Sequence, residues 1–226
     1  MNLLTLNSLI SKLNRENKNV LILDTCCLLD IVRVPIRETI QPLQAALKIV
    51  NGINSNNFNI VLPSYIPMEW TDNISNVCDE VNKSIEKNQS KLTYLNGIVI
   101  ELQSPVTIPD FKSIGIETQL RSISKKVLDL GLTLQEDPEY HLKGFYRSAS
   151  KRPPARKGKE SLKDCVVFEE TLAIGNNLRQ LGFDKKVVFA SSNTQEFDNE
   201  DIRAELGTYN IQYVNSLQWG LHEVEN

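Results

Sequence analysis

Histidine and paired cysteine are scarce in this 226-residue chain. The two histidines, His141 and His222, lie far apart, and Cys26, Cys27, Cys78 and Cys165 form no Cys-x-x-Cys pair. A structural zinc site needs clustered thiolates and imidazoles, so that class is excluded. Adjacent cysteines such as Cys26 and Cys27 can hardly bridge each other without strain, and reduced, packed thiols are the expectation. No run of about 20 apolar residues is present, so no membrane span is expected. The first 19 residues are too polar for a secretory signal. A soluble cytoplasmic protein without a membrane partner is the resulting expectation. A glycine-rich phosphate loop is missing too. GKES at 158–161 has no glycine five positions before Gly158, and Glu160 follows the lysine. Cys27 and Arg33 have the C-x5-R spacing of a cysteine phosphatase. Between them, however, Leu28, Leu29, Ile31 and Val32 suit a buried helix face, not an exposed anion loop. An aspartyl-nucleophile phosphatase would want a second Asp two places after Asp24, and Cys26 stands there.

What is there is an ordinary globular composition, 41% hydrophobic and 23% charged, with a net charge of −3. That balance excludes a protein that coats nucleic acid over its whole surface. The charge is unevenly spread. Lys143, Arg147, Lys151, Arg152, Arg156, Lys157, Lys159 and Lys163 face a single acid, Glu160, in the same segment, a local +7 that leaves −10 elsewhere. A basic segment on an acidic body is the arrangement for one polyanion-binding face; a solvated loop is the alternative.

Hydrophobic periodicity alternates between strand and helix. The residues Leu3, Leu6, Ile10 and Leu13 recur at helical spacing, which predicts an amphipathic N-terminal helix. Short apolar strands are expected at 20–23, 59–62, 186–190 and 211–214. Helices are expected at 41–51, 68–99 (with Pro67 in the first turn), 113–130, 162–181 and 216–222. The span 132–160 is polar, basic and proline-containing, and reads mostly as loop. Strands separated by helices imply an α/β fold with a mostly parallel central sheet flanked by helices. The helical stretch in the middle exceeds what one crossover needs. We read 1–226 as a single domain with a helical and loop insertion at roughly 72–160.

Sites in open parallel sheets form outside the carboxyl ends of the strands. After VLIL comes Asp24-Thr25; after NIVL comes PSYIPMEW with Glu69; after VVFA comes SSNTQEFD with Ser192, Asn193 and Glu196. The helix leading into that last strand opens SLKD, with Asp164 in its first turn. Each acid has a capping alternative: Ser161-x-x-Asp164 and Asn193-x-x-Glu196 can be capping boxes, Asp24 can cap the next helix, and Glu69 favours a helix start. Capping does not explain why the acids follow successive strands. Crowded carboxylates without histidine or cysteine suit Mg²⁺ or Mn²⁺, which polarise a phosphoryl oxygen and activate water. With a basic strip nearby, this is the charge arrangement for cutting a phosphodiester.

The four segments VLILDTCCLLD, LPSYIPMEW, KRPPARKGKESLKDCVVFEE and VVFASSNTQEF together resemble the PIN domain, the metal-dependent nuclease fold also found in toxin ribonucleases. The third segment is similar to a bacterial PIN-like subgroup larger than the minimal toxins. The resemblance implies a Rossmann-like sheet with the strand before Asp24 central, a Mg²⁺ or Mn²⁺ cofactor, and hydrolysis of RNA by metal-activated water. It implies Asp24, Glu69 and Asp164 as metal ligands. Asn193 and Glu196 would complete the site directly or through water, with the acids, Glu196 among them, serving catalysis. Thr25 and Ser192 would orient a ligand or the scissile phosphate, and Arg152, Arg156, Lys157 and Lys159 would hold the RNA backbone. The sequence departs from the pattern at Asn193, where many members carry Asp; Glu196 and Asp198 are the acids left to compensate. A PIN-fold module that binds RNA or protein without cutting is therefore the alternative. A toxin role with an antitoxin partner, a homodimer, and the purpose of 92–142 stay open.

Overall fold

The computed structural model describes residues 2–52, 57–104, 107–155 and 161–226. Its centre is a six-stranded sheet in the order β1-β4-β3-β2-β5-β6, and every pairing is parallel. The strands are β1 (Asn2–Leu4), β2 (Asn19–Leu23), β3 (Phe58–Leu62), β4 (Leu132–Leu134), β5 (Val187–Ala190) and β6 (Ile211–Val214). Val20 to Leu23 and Val187 to Ala190 are all buried, as strands covered on both faces must be.

Helices connect the strands. In chain order they are α1 (Leu6–Glu16), α2 (Thr25–Val32), α3 (Val34–Arg37), α4 (Gln41–Val50), α5 (Ile66–Glu101), α6 (Ile116–Leu130), α7 (Pro138–Ala149), α8 (Leu162–Gln180), α9 (Thr194–Phe197), α10 (Glu200–Thr208) and α11 (Leu217–Glu225). Helices α1, α7 and α10 pack with α8; α2, α4, α5, α6 and α11 form a second group. In α5, Trp70, Ile74, Val77, Val81 and Ile85 are buried at intervals of three and four, the spacing of one helix face. Trp70 Nε1 donates to Ser124 Oγ at 2.9 Å, and Ser124 Oγ donates to the Leu28 carbonyl at 2.8 Å, so one buried polar chain ties α5, α6 and α2 together.

The α/β class, the parallel sheet and the central position of the strand before Asp24 agree with the sequence reading. The segment 132–160 does not: it holds β4 and α7 as well as a turn. Asp137 caps α7 by accepting from the Glu139 N–H at 2.9 Å, and Pro138 occupies the first turn. That Asp-Pro start is a helix signal that the basic composition obscured. The N-terminus also differs. Thr5 caps α1 by accepting from the Ser8 N–H, and the residues before it pair with β4 as an edge strand.

Arg147 explains how α7 is fixed. Its side chain is 3% exposed. Nε donates to Glu169 Oε1 at 2.6 Å, Nη2 donates to Glu205 Oε2 at 2.5 Å, and Nη1 donates to the Pro153 carbonyl. The guanidinium also lies over the Phe168 ring, 4.6 Å from its centroid. One residue thereby joins α7, α8, α10 and the turn at 153. Removing one partner of a buried ion network leaves the others unpaired, so Arg147→Ala should lower unfolding free energy by about 3 kcal/mol in urea titration. A loss below about 1 kcal/mol, the worth of a surface pair, would contradict this role.

Candidate active site at the carboxyl edge of the sheet

Register brings the acids together. In β2 and β5, Leu23 is opposite Ala190, and in β2 and β3, Ile22 is opposite Val61, so three neighbouring strands end at one level. Asp24 follows Leu23, and its N–H donates to the Ala190 carbonyl at 3.0 Å. Glu69 stands in the first turn of α5, and Asp164 in the first turn of α8. Glu196 lies in α9, immediately after β5.

Each carboxylate is held differently. The Asp24 carboxyl accepts the Thr25 N–H on Oδ1 at 2.7 Å, and on Oδ2 it accepts the Ser191 hydroxyl at 2.6 Å and the Cys26 thiol at 2.9 Å. Thr25 Oγ1 donates to Glu69 Oε2 at 2.7 Å. Asp164 and Glu196 share a hydrogen bond. Asn193 Nδ2 donates to Glu196 Oε2. Asp24 and Glu196 are buried, while Glu69 and Asp164 are half-buried toward the opening. Capping accounts for Asp24, which does cap α2, but neither Ser161 nor Asn193 makes a side-chain cap to its helix. Asp198 is drawn away from the acids by Arg203, at 2.6 Å.

Electrostatics mark the four acids as one group. Burial pushes the Asp164 carboxyl up to about 8, and repulsion by Glu196, Asp24 and Glu69 adds to it. Burial also raises Glu69, with Asp24 and Glu196 reinforcing the shift, against the Thr25 bond and the charge of Lys163. Asp24 is raised by burial in spite of its three donors. Burial first, then Cys27 and Asp24, keep the Cys26 thiol well above its ordinary range, so Cys26 acts here as a neutral donor.

The other residues singled out from sequence divide into three sets. Thr25 and Asn193 touch the acids directly. The Ser192 N–H donates to Cys26 Sγ at 3.0 Å, while its buried hydroxyl has no hydrogen-bond partner. Arg152 is exposed and reaches Glu205 at 3.3 Å. Arg156, Lys157 and Lys159 lie outside the described residues. Sequence reasoning missed Ser191, which supports Asp24, and gave Cys26 a packing role only. It also assigned no site role to Lys163, half exposed beside Glu69 and 4.0 Å from Asp72. A polar serine at the end of an apolar strand was the available signal for Ser191.

Comparison with known proteins completes this picture. The family model described as PIN domain matches residues 21–197, which spans all four acids. The chain belongs to the PIN domain family. PIN domains are generally nucleases and generally use divalent metals. No curated protein and no solved structure matches the chain. Among the described residues, no helix is long and apolar enough to cross a membrane.

The donor chemistry of this PIN domain fits a hard divalent cation. The cluster is oxygen-only, crowded, and bordered by an unpartnered hydroxyl. Among the described residues, no group of three acids has the spacing that holds a metal ion. Like charges without an ion between them spread apart, so ion binding would draw Asp24, Glu69 and Asp164 inward. The elevated acids set a pH dependence. A carboxyl whose folded pKa lies above its unfolded value holds its proton longer when folded, so folding stability falls as pH rises through that interval. For Asp164 the window runs from about 4 to about 8, and Glu170, raised to about 7 by burial, adds to it. In EDTA, Tm should fall between pH 5 and pH 8.5; Mn²⁺ should restore it at the upper end, and Asp164→Asn should flatten part of the fall. A Tm that stays level in EDTA across this window would contradict the coupling.

Proposed function

We propose that the chain is a Mg²⁺- or Mn²⁺-dependent endoribonuclease. The observation that carries this reading is the group of four mutually repelling carboxylates, one of them pushed up to about 8, at the carboxyl edge of a parallel sheet. Asp24, Glu69 and Asp164 would hold the cation, and Glu196 with Asn193 would complete the shell directly or through water. When bound, the ion supplies Lewis-acid polarisation of the phosphoryl oxygen and a reactive water.

The chain's own residues do the rest. Ser191 and Cys26 fix the Asp24 carboxylate by donating to Oδ2, and Thr25 fixes Glu69. Asp164, pushed up to about 8, would release its proton on holding a cation. The Ser192 hydroxyl, buried and without a hydrogen-bond partner, would have to turn outward to reach a phosphate oxygen. Pro153, Ala155, Gln195 and Asn199 line a groove that reaches Glu196, but Glu200 and Asp201 line it too, so an RNA backbone would need the cations of the neighbouring basic segment. Arg152 is exposed in that segment and reaches Glu205 at 3.3 Å. Arg147 is withdrawn from that role because its donors are already bonded.

Asn193 supports a second reading, a PIN module that binds RNA without cutting. Its amide donates to Glu196 and occupies a lone pair that a cation would use. Two experiments separate the readings. Purified protein with labelled RNA and Mn²⁺ should cleave, EDTA should abolish cleavage, and Asp24→Asn and Asp164→Asn should each be inactive. Ser191→Ala, which removes support behind a ligand, should cost about 10–100-fold in activity. Identical lanes for all proteins would leave only the binding reading. Separately, Asn193→Asp removes a donor to Glu196 and adds a charge. It should lower Tm in EDTA and tighten Mn²⁺ binding by calorimetry; unchanged affinity would place residue 193 outside the shell.

A further inference from the structure

Helix α5 is longer than the body it packs on. Its last buried residue is Ile85, yet it continues to Glu101, about 24 Å farther at 1.5 Å per residue. Near the start of this extension, Gln89 Oε1 accepts the Phe111 N–H at 3.1 Å and Glu86 pairs with Lys112 at 3.0 Å. Beyond Gln89, among the described residues, no hydrogen bond or ion pair joins 90–102 to another element. A helix of this length without tertiary contact is marginal in water.

The extension is nonetheless apolar. Leu92, Tyr94, Leu95, Ile98, Ile100 and Leu102 are between 36% and 71% exposed. Monomeric proteins rarely leave so dense a patch uncovered. Helical spacing places Lys91, Tyr94, Leu95, Ile98, Glu101 and Leu102 along one face, alternating by three and four as in a two-helix seam. Gly97 lies beside that face in a shallow groove lined also by Tyr94 and Ile98, and a methyl group added there would meet nothing. The groove is open to an incoming side chain.

Charge decides the occupant. The seam carries Lys91 at its inner end and Glu101 at its outer end, with Tyr94 and Ile98 between them. A second copy laid antiparallel sets Tyr94 against Ile98 of the partner subunit and Lys91 against Glu101 of the partner subunit, twice by symmetry. A parallel copy would set lysine on lysine. Two such arms meeting along one face bury on the order of 1,000 Å² in total, the low end of a stable interface. We propose that the outer part of α5 is a homodimerisation arm that pairs antiparallel with the same arm of a second copy.

Sedimentation velocity on the full chain tests this. The wild type should be a dimer at micromolar concentration. Tyr94→Glu with Ile98→Glu should give a monomer in which any loss of helix is confined to the outer part of α5, since both residues are exposed there. Lys91→Glu alone and Glu101→Lys alone should each weaken the dimer by about tenfold or more, and the double exchange should recover it. A wild-type monomer overturns the proposal, including one whose arm binds some other protein. So does a dimer indifferent to Tyr94→Glu with Ile98→Glu, or a double exchange no tighter than the single ones.

Discussion

Repulsion among buried carboxylates at the carboxyl edge of the sheet is the constraint on which this structure turns. Asp24, Glu69, Asp164 and Glu196 come from four different connections, and the parallel register of β3, β2 and β5 brings them to one place. Nothing in a hydrophobic core requires that arrangement. Burial raises Asp24, Glu69 and Asp164, and neighbouring acids raise them further. Hydrogen bonds from Thr25, Ser191, Cys26 and Asn193 offset part of that cost and fix the geometry. Under the proposed reading, a cation from outside the protein would balance the charge of this cluster.

Much of this was legible in the sequence, for definable reasons. Strands β2, β3, β5 and β6 are short apolar runs bounded by polar residues, and Asp24, Glu69 and Glu196 each lie in the segment that follows a strand end. Asp164 could be found because it opens a helix with a clear start. Strands β1 and β4, at three residues each, pair through backbone alone and carry no periodic signature. Helix α7 was hidden beneath lysine and arginine, although Asp137-Pro138 marks its beginning. Ser191 escaped notice because its hydroxyl acts across the sheet on Asp24, 167 positions away, a relation that no local spacing expresses. The cysteine pair divides similarly: Cys27 is buried in the core, whereas Cys26 donates to the acid two places before it.

The basic segment turns out to be two things at once. Arg147 is buried in an ion network and belongs to the fold, and Lys143 pairs with Glu139 one helical turn back. Arg152 and Lys163 stay accessible, and Lys163 lies beside the acids. Composition counts all of these charges alike, while packing separates those that hold α7 in place from those that stay accessible. The PIN domain family resemblance joins both ends of this region, since the matched residues, 21–197, run through it. The outer part of α5 lies within the same matched span.

The central claim is that the carboxylate cluster is a cation site. A crystal soaked in Mn²⁺, with data collected at the manganese absorption edge, addresses it without reference to any substrate. The expected result is an anomalous peak bridging oxygens of Asp24 and Asp164, with Glu69 in contact directly or through water. A map with no peak among these residues, and the acids unmoved from their hydrogen-bonded positions, would contradict the claim.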